Sequence, residues 1–161
     1  MIGLLLMLAV EGRAGEPLLM KDVFKAMPDS LIPYLSANNK LDMIDFLESG
    51  MKAEVDNMLG GKSEMKSLSA DSLTLQLSAG LKTAMFLLKP LEPVDSCSQI
   101  VCLIQTFGAD TLSYATKIEY FTPNWQPISL IPRLSEADRL RIERLNVQTI
   151  LKWEERILKK D

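Results

Sequence analysis

Few residues in this chain could do chemistry, and the first is Gly61-Lys62-Ser63, the ending of a phosphate-binding loop. Such a loop reads GxxxxGK[ST] between a strand and a helix, so that backbone N–H groups and a helix amino terminus converge on phosphate oxygens. Here Asp56 occupies the first glycine position, and its carboxylate would repel a phosphate. Apolar residues at helical spacing also run up to the glycines instead of away from them, so Gly60-Gly61 is expected to stop a helix in a left-handed turn. Ser63 and Lys66 form an SxxK pair, as in serine β-lactamase-like enzymes, but neither SDN nor KTG accompanies them.

Carboxylates offer a second chemistry. Asp42, Asp45, Glu48, Glu54 and Asp56 fall within one acidic stretch, and Asp42 and Asp45 share a helix face at i,i+3. Two acids so placed could hold calcium or work as an acid/base pair, which would make the protein a calcium binder or a carboxylate-based hydrolase. The plainer reading is a solvated face opposite Leu41, Ile44 and Leu47. Cys97 and Cys102 are five apart; along a strand that offset spans about 16 Å and points the thiols to opposite faces, against the roughly 4.4–6.8 Å between Cα atoms of a disulfide. Unpaired, buried thiols are expected. Tyr120, Phe121 and Trp125 cluster in "YFTPNWQP" and are the candidate binding residues, although a tryptophan beside a turn more often fills a core. These residues point to no catalytic site, metal site or cofactor.

Composition narrows the classes further. The 161 residues fit one domain, and 18 basic side chains scattered among 21 acidic ones lack the footprint of a nucleic-acid binder. Histidine is absent, which removes the commonest general base and zinc ligand.

Ile2–Val10, "IGLLLMLAV", is an uncharged run within the roughly 7–15 residues of a signal-peptide core and short of the ~20 that span a bilayer. Gly12 and Ala14 suit a cleavage site, so a leader of residues 1–14 and a single mature domain of residues 15–161 are expected, with a periplasmic or secreted location and no integral membrane span after leader removal. No Lys or Arg precedes the run, so either translation starts upstream or the segment is an apolar helix.

The elements that must position these residues fall into helical, sheet and helical thirds, an α+β chain. A short helix ends near Met27 before Pro28. A second is expected to carry Leu31, Tyr34 and Leu35, capped by Asp29 or Ser30, and a third starts at Asn38 or Asn39 and stops near Gly50. Met51, Val55, Met58 and Leu59 continue the helical spacing. From Lys62 the period shortens to two: Leu73, Leu75 and Leu77 alternate with polar residues, Ala79-Gly80 turns, and "LKTAMFLLK" and "SQIVCLIQTF" are apolar throughout, like central strands covered on both faces. A hairpin at Gly108-Ala109-Asp110 leads to "TLSYATKIEYF", with Thr116, Ile118 and Tyr120 opposite Ala115, Lys117 and Glu119. Short connections predict an antiparallel meander of four to six strands, with edge strands at 64–68 and 125–131. Ser135 opens a long C-terminal helix with two apolar stripes, Leu140, Val147, Leu151, Leu158 and Ile142, Ile150, Trp153, Ile157. At about 39 Å it would overhang a strand of about 33 Å and offer its apolar face to a second copy or another protein.

The blocks "MPDSLIPYLSANNKLDMIDFLESGMKAEVDNMLGGKSEM", "DSLTLQLS" and "IEYFTPNWQPI" resemble a Bacteroidales family of small exported proteins of unknown function. The resemblance implies an exported α+β protein of a Gram-negative envelope and carries over no catalytic residues. Together these readings favour a non-catalytic envelope module that binds a protein partner or ligand through its sheet face, its terminal helix or the aromatic corner.

Overall fold

The computed structural model describes residues 17–108 and 114–145. The expected leader, the hairpin tip at 109–113 and the helical stripe beyond Leu145 lie outside the described residues.

Two helices and a 3-10 turn come first: α1 (Met20–Lys25), the turn Asp29–Leu31, and α2 (Ala37–Glu48). Pro28 precedes the turn in extended conformation, and the expected second helix is only this single turn. Leu35 is buried beyond it, so apolar spacing marked the right core residues without making a helix. The cap of α2 is Ser36, whose Oγ accepts from Asn39 N at 3.1 Å while Asn39 Oδ1 accepts from Ser36 N at 3.0 Å, a capping box that satisfies two otherwise orphaned donors. Gly50, at φ +73°, follows the Ser49 cap, a left-handed position that glycine adopts without a Cβ clash.

Among the described residues seven strands then run in sequence order as one antiparallel meander: β1 (Ala53–Asp56), β2 (Lys62–Leu68), β3 (Ser72–Ser78), β4 (Leu81–Leu88), β5 (Ile100–Phe107), β6 (Ala115–Phe121) and β7 (Pro127–Ile128). The strand beyond the expected range is β1. Residues 51–59 satisfy helical spacing, yet Ala53 and Val55 alternate with Glu54 and Asp56, and pairing with β2 in the register Ala53 opposite Met65 settles the period at two. Gly60-Gly61 therefore closes a β-hairpin instead of ending a helix, with Gly60 at φ +85°. β2 is consequently interior, and β7, which holds Pro127, is an edge as expected.

The sheet separates two apolar layers. One face holds Leu73, Leu75, Leu77, Met85, Val101 and Leu103 under Phe24, Met43 and Ile44 of the amino-terminal helices. The other holds Ala84, Phe86, Leu88, Ile100, Cys102 and Ile104 under Ile142. Among the described strands only β4 and β5 bury both faces along most of their length, which is why their sequences show no alternation. The C-terminal helix begins after Ser135, whose Oγ accepts from Asp138 N at 3.2 Å, and is helical from 136 through 145. Arg141 anchors it: the guanidinium makes a bidentate pair with Asp71 at 3.0 and 2.9 Å and lies 4.5 Å from the Phe86 ring centre.

On α2 the buried face is Lys40, Met43 and Ile44, with Leu47 half-buried, while Leu41 is exposed. The stripe is rotated by one residue from the Leu41, Ile44, Leu47 reading. It accommodates a lysine because Lys40 Nζ donates to Met27 O at 2.6 Å and sits 3.3 Å from Asp29 Oδ1. The aliphatic stem packs as a hydrophobe and the ammonium ends on a carbonyl.

Candidate binding edge

The stretch that looks like a phosphate loop is fully occupied by its own hairpin. Asn57 Oδ1 accepts from Leu59 N and Gly61 N, both at 3.0 Å, and Ser63 Oγ donates to Leu77 O at 2.7 Å in the core. Lys62 pairs at 2.8 Å with Asp56, the residue at the failed glycine position. That hydrogen bond holds the Asp56 carboxyl below its usual range and the Lys62 ammonium above its own. A strand–turn–strand context supplies no helix amino terminus, and Ser63 faces away from solvent.

The acidic candidates do not converge. Glu48 pairs with Lys21 at 2.8 Å, Glu54 pairs with Lys52 at 2.8 Å, and Asp42 and Asp45 stand exposed on α2. Among the described residues no three His, Cys, Asp or Glu side chains group closely enough to hold a metal. Both cysteines are free; Cys102 is buried, and Cys97 lies outside β5, half-buried in the preceding turn. Burial, and after it the charge of Asp138, pushes the Cys102 thiol up to about 12.

The aromatic corner divides. Phe121 and Trp125 meet in a tilted contact, 5.4 Å between ring centres with the planes at 52°, and are 4% and 5% exposed, in the layer under the amino-terminal helices. Trp125 adopts φ +63°, an uncommon conformation for a large side chain, and its Nε1 donates to Val23 O at 2.9 Å. The turn closes with Thr122 N donating to Gln126 O and Trp125 N to Thr122 O, both at 2.9 Å. Tyr120 points the other way, against the layer that contains Cys102, because successive strand residues alternate. Its phenol is raised by burial first and by neighbouring Cys102 second. Two of the three candidate binding residues thus fill the core.

Their neighbours carry the exposed surface instead. Ile118, Leu130 and Ile131 are 39%, 76% and 86% exposed, and they line one groove of about 400 Å³ with Tyr120, Pro127 and Ile128. β7 pairs only with Tyr120 and Phe121, so among the described residues nothing pairs with the outer side of β6 from Ala115 to Glu119. Antiparallel ladder bonds alternate along a strand; with Thr122 bonded outward to Gln126, the outward-facing backbone groups of β6 are those of Tyr120, Ile118 and Thr116. The alternation of "TKIEYF" located this strand correctly, but an open edge is a property of strand order and left no trace in the sequence. A second groove of about 400 Å³ opens on the opposite sheet face between Tyr34 and Phe107.

Among the described residues no helix is long and apolar enough to cross a membrane. No curated protein matches the chain. A solved domain of an uncharacterized protein from Porphyromonas gingivalis W83 superimposes with a TM-score of 0.54 at 21% identity, covering 68% of this chain and 52% of that one. The chain thus spans about half the length of that solved relative, and the likeness shows a shared fold. Residues 16–153 match the family described as protein of unknown function DUF3256, which bears out the resemblance in the helical and sheet blocks, and the chain belongs to that family.

Proposed function

We propose that the protein is an exported, non-catalytic envelope module that binds a protein partner or envelope ligand along the open edge of β6. The observation that carries this reading is the coincidence of two exposures: backbone groups of Thr116 and Ile118 that pair with nothing on their outer side among the described residues, and apolar side chains of Ile118, Leu130 and Ile131 lining the groove beside them. Lys117 and Glu119 charge one face of this edge, as exposed edges commonly are, while Ile118 leaves the groove-lining face apolar and suited to a binding site. Export rests on the apolar run Ile2–Val10 and the small residues after it.

Affinity capture from the native envelope fraction tests the binding reading. A specific partner should be retained by the native chain and lost with Ile118→Asp or Leu130→Asp, while the circular dichroism spectrum is unchanged. Capture indifferent to both substitutions would sink it. Reading the mature amino terminus by mass spectrometry tests export: a start near Gly15 supports it, and intact Met1 on cytosolic protein refutes it.

A further inference from the structure

We infer that the groove between Tyr34 and Phe107 is a binding site for a neutral sugar ring, with Gln105 as the residue that hydrogen-bonds it. The site lies on the helix-covered face of the sheet and is separate from the β6 edge. Two polar residues on an otherwise apolar surface carry the argument. Along Leu73–Leu77, Leu81–Leu87 and Val101–Phe107, the side chains facing the amino-terminal helices are apolar except at Thr83 and Gln105. These two stand directly opposite each other in the β4–β5 register, which sets their side chains next to one another. Neither is spent inside the protein: the Thr83 hydroxyl, 2% exposed, has no partner, and among the described residues no hydrogen bond engages the Gln105 amide. By contrast, buried Lys40 and Ser63 each end on a backbone carbonyl. An apolar pair at 83 and 105 would make these strands more stable, so polar groups left idle here fit a role in binding and not in folding.

The lining selects the ligand class. The groove, at about 400 Å³, has the size of a small-molecule site; Tyr34 and Phe107 supply rings, Leu77 and Leu81 supply apolar surface, and no charged side chain lines it among the described residues. A charged ligand would lose water there and gain no counter-charge. A wholly apolar one would cover the Gln105 amide and leave it unpaired. An extended peptide finds no backbone to pair with, because β3, β4 and β5 are all interior strands. A pyranose ring meets each condition: its C–H face packs on aromatic or apolar surface, and its hydroxyls both donate and accept. Gln105 brings two amide donors and an acceptor, enough to engage a sugar hydroxyl and Thr83 together. Phe107 is 42% exposed, which leaves its ring available to a ligand.

Saturation-transfer NMR on the native chain tests the assignment, with methyl glucoside, methyl galactoside, methyl mannoside and N-acetylglucosamine as probes at millimolar concentration. At least one should receive transfer at its ring C–H protons, while the charged analogues glucuronate and glucosamine receive none. Gln105→Leu should weaken binding of that sugar about tenfold, the worth of one hydrogen bond, with an unfolding midpoint that holds or rises. Lost binding without lost stability separates a ligand-binding glutamine from a structural one. Phe107→Ala, at an exposed position, should reduce the same transfer and gives a second reading that does not depend on how Gln105→Leu folds. No transfer to any of the four neutral sugars overturns the inference. Equal transfer to the charged analogues overturns it too, as does binding that survives both substitutions.

Discussion

The indole Nε1 of Trp125 donates a 2.9 Å hydrogen bond to the carbonyl of Val23, across 102 residues of sequence. Val23 lies in the last turn of α1, where helix carbonyls lack an intrahelical donor. The bond therefore caps α1 from the β6–β7 turn, tying the amino-terminal helices to the far edge of the sheet. The left-handed backbone of Trp125, unfavourable by roughly 1–2 kcal/mol, persists because it aims the ring at this carbonyl and at Phe121. Trp125→Phe should keep part of the packing but leave the buried carbonyl unpaired, lowering stability by about 2 kcal/mol. Urea denaturation should show a lower midpoint at unchanged slope; an unaltered midpoint would show the cap to be idle.

Lys40 should matter more than its ion pair suggests. Its ammonium is 2.6 Å from the Met27 carbonyl, and the side chain of its carboxylate neighbour Asp29 is 73% exposed. Lys40→Ala removes a packed stem and the partner of a buried carbonyl, and should cost about 3 kcal/mol. Asp29→Ala should cost under about 1 kcal/mol, because a solvated partner contributes little. Equal effects in the two variants, read by thermal unfolding, would mean that the charge pair dominates.

The thiols should separate by reactivity. Cys97 is half-buried at the surface and Cys102 lies within the sheet layer, its thiol pushed up to about 12. Iodoacetamide near pH 8 should add one group to the folded chain and two in denaturant. Raising a thiol pKa on folding means that the native state holds its proton longer than the unfolded chain, which ionises near 9.0. The stabilisation is fully present below that value and lost as pH climbs from there toward 12, at up to about 1.4 kcal/mol per pH unit. Cys102→Ser should reduce this slope and leave the part that the raised Tyr120 phenol contributes; a slope no smaller than that of the native chain would refute the assignment.

Thr83 on β4 is 2% exposed, and its hydroxyl has no hydrogen-bond partner. An unsatisfied buried hydroxyl disfavours the folded state, so the near-isosteric Thr83→Val should stabilise by about 1 kcal/mol. A midpoint that falls in urea would mean that the hydroxyl is satisfied in solution, for instance by a buried water.

Local periodicity in the sequence was sufficient for the elements whose environment is uniform along their length. Leu73, Leu75 and Leu77 identify a strand with one wet face, the unbroken apolar runs of β4 and β5 identify strands covered twice, and Ala79-Gly80 identifies the turn between β3 and β4. Ser135 marked the start of the C-terminal helix for the same reason: a cap is a contact between neighbours in sequence.

Tertiary structure alone decided the rest, because the deciding contacts join residues far apart. The spacing at 51–59 fits two periods, and only pairing with β2 makes Ala53–Asp56 a strand. Helical spacing alone would seat either Leu41 or Lys40 on the inner face of α2, and the Met27 carbonyl and Asp29 select the lysine. A glance at "YFTPNWQP" suggests a surface cluster, yet alternation sends Tyr120 and Phe121 to opposite layers and Val23 draws Trp125 inward. The open side of β6 exists because β7 stops after two residues, a limit set by where the chain turns away in space.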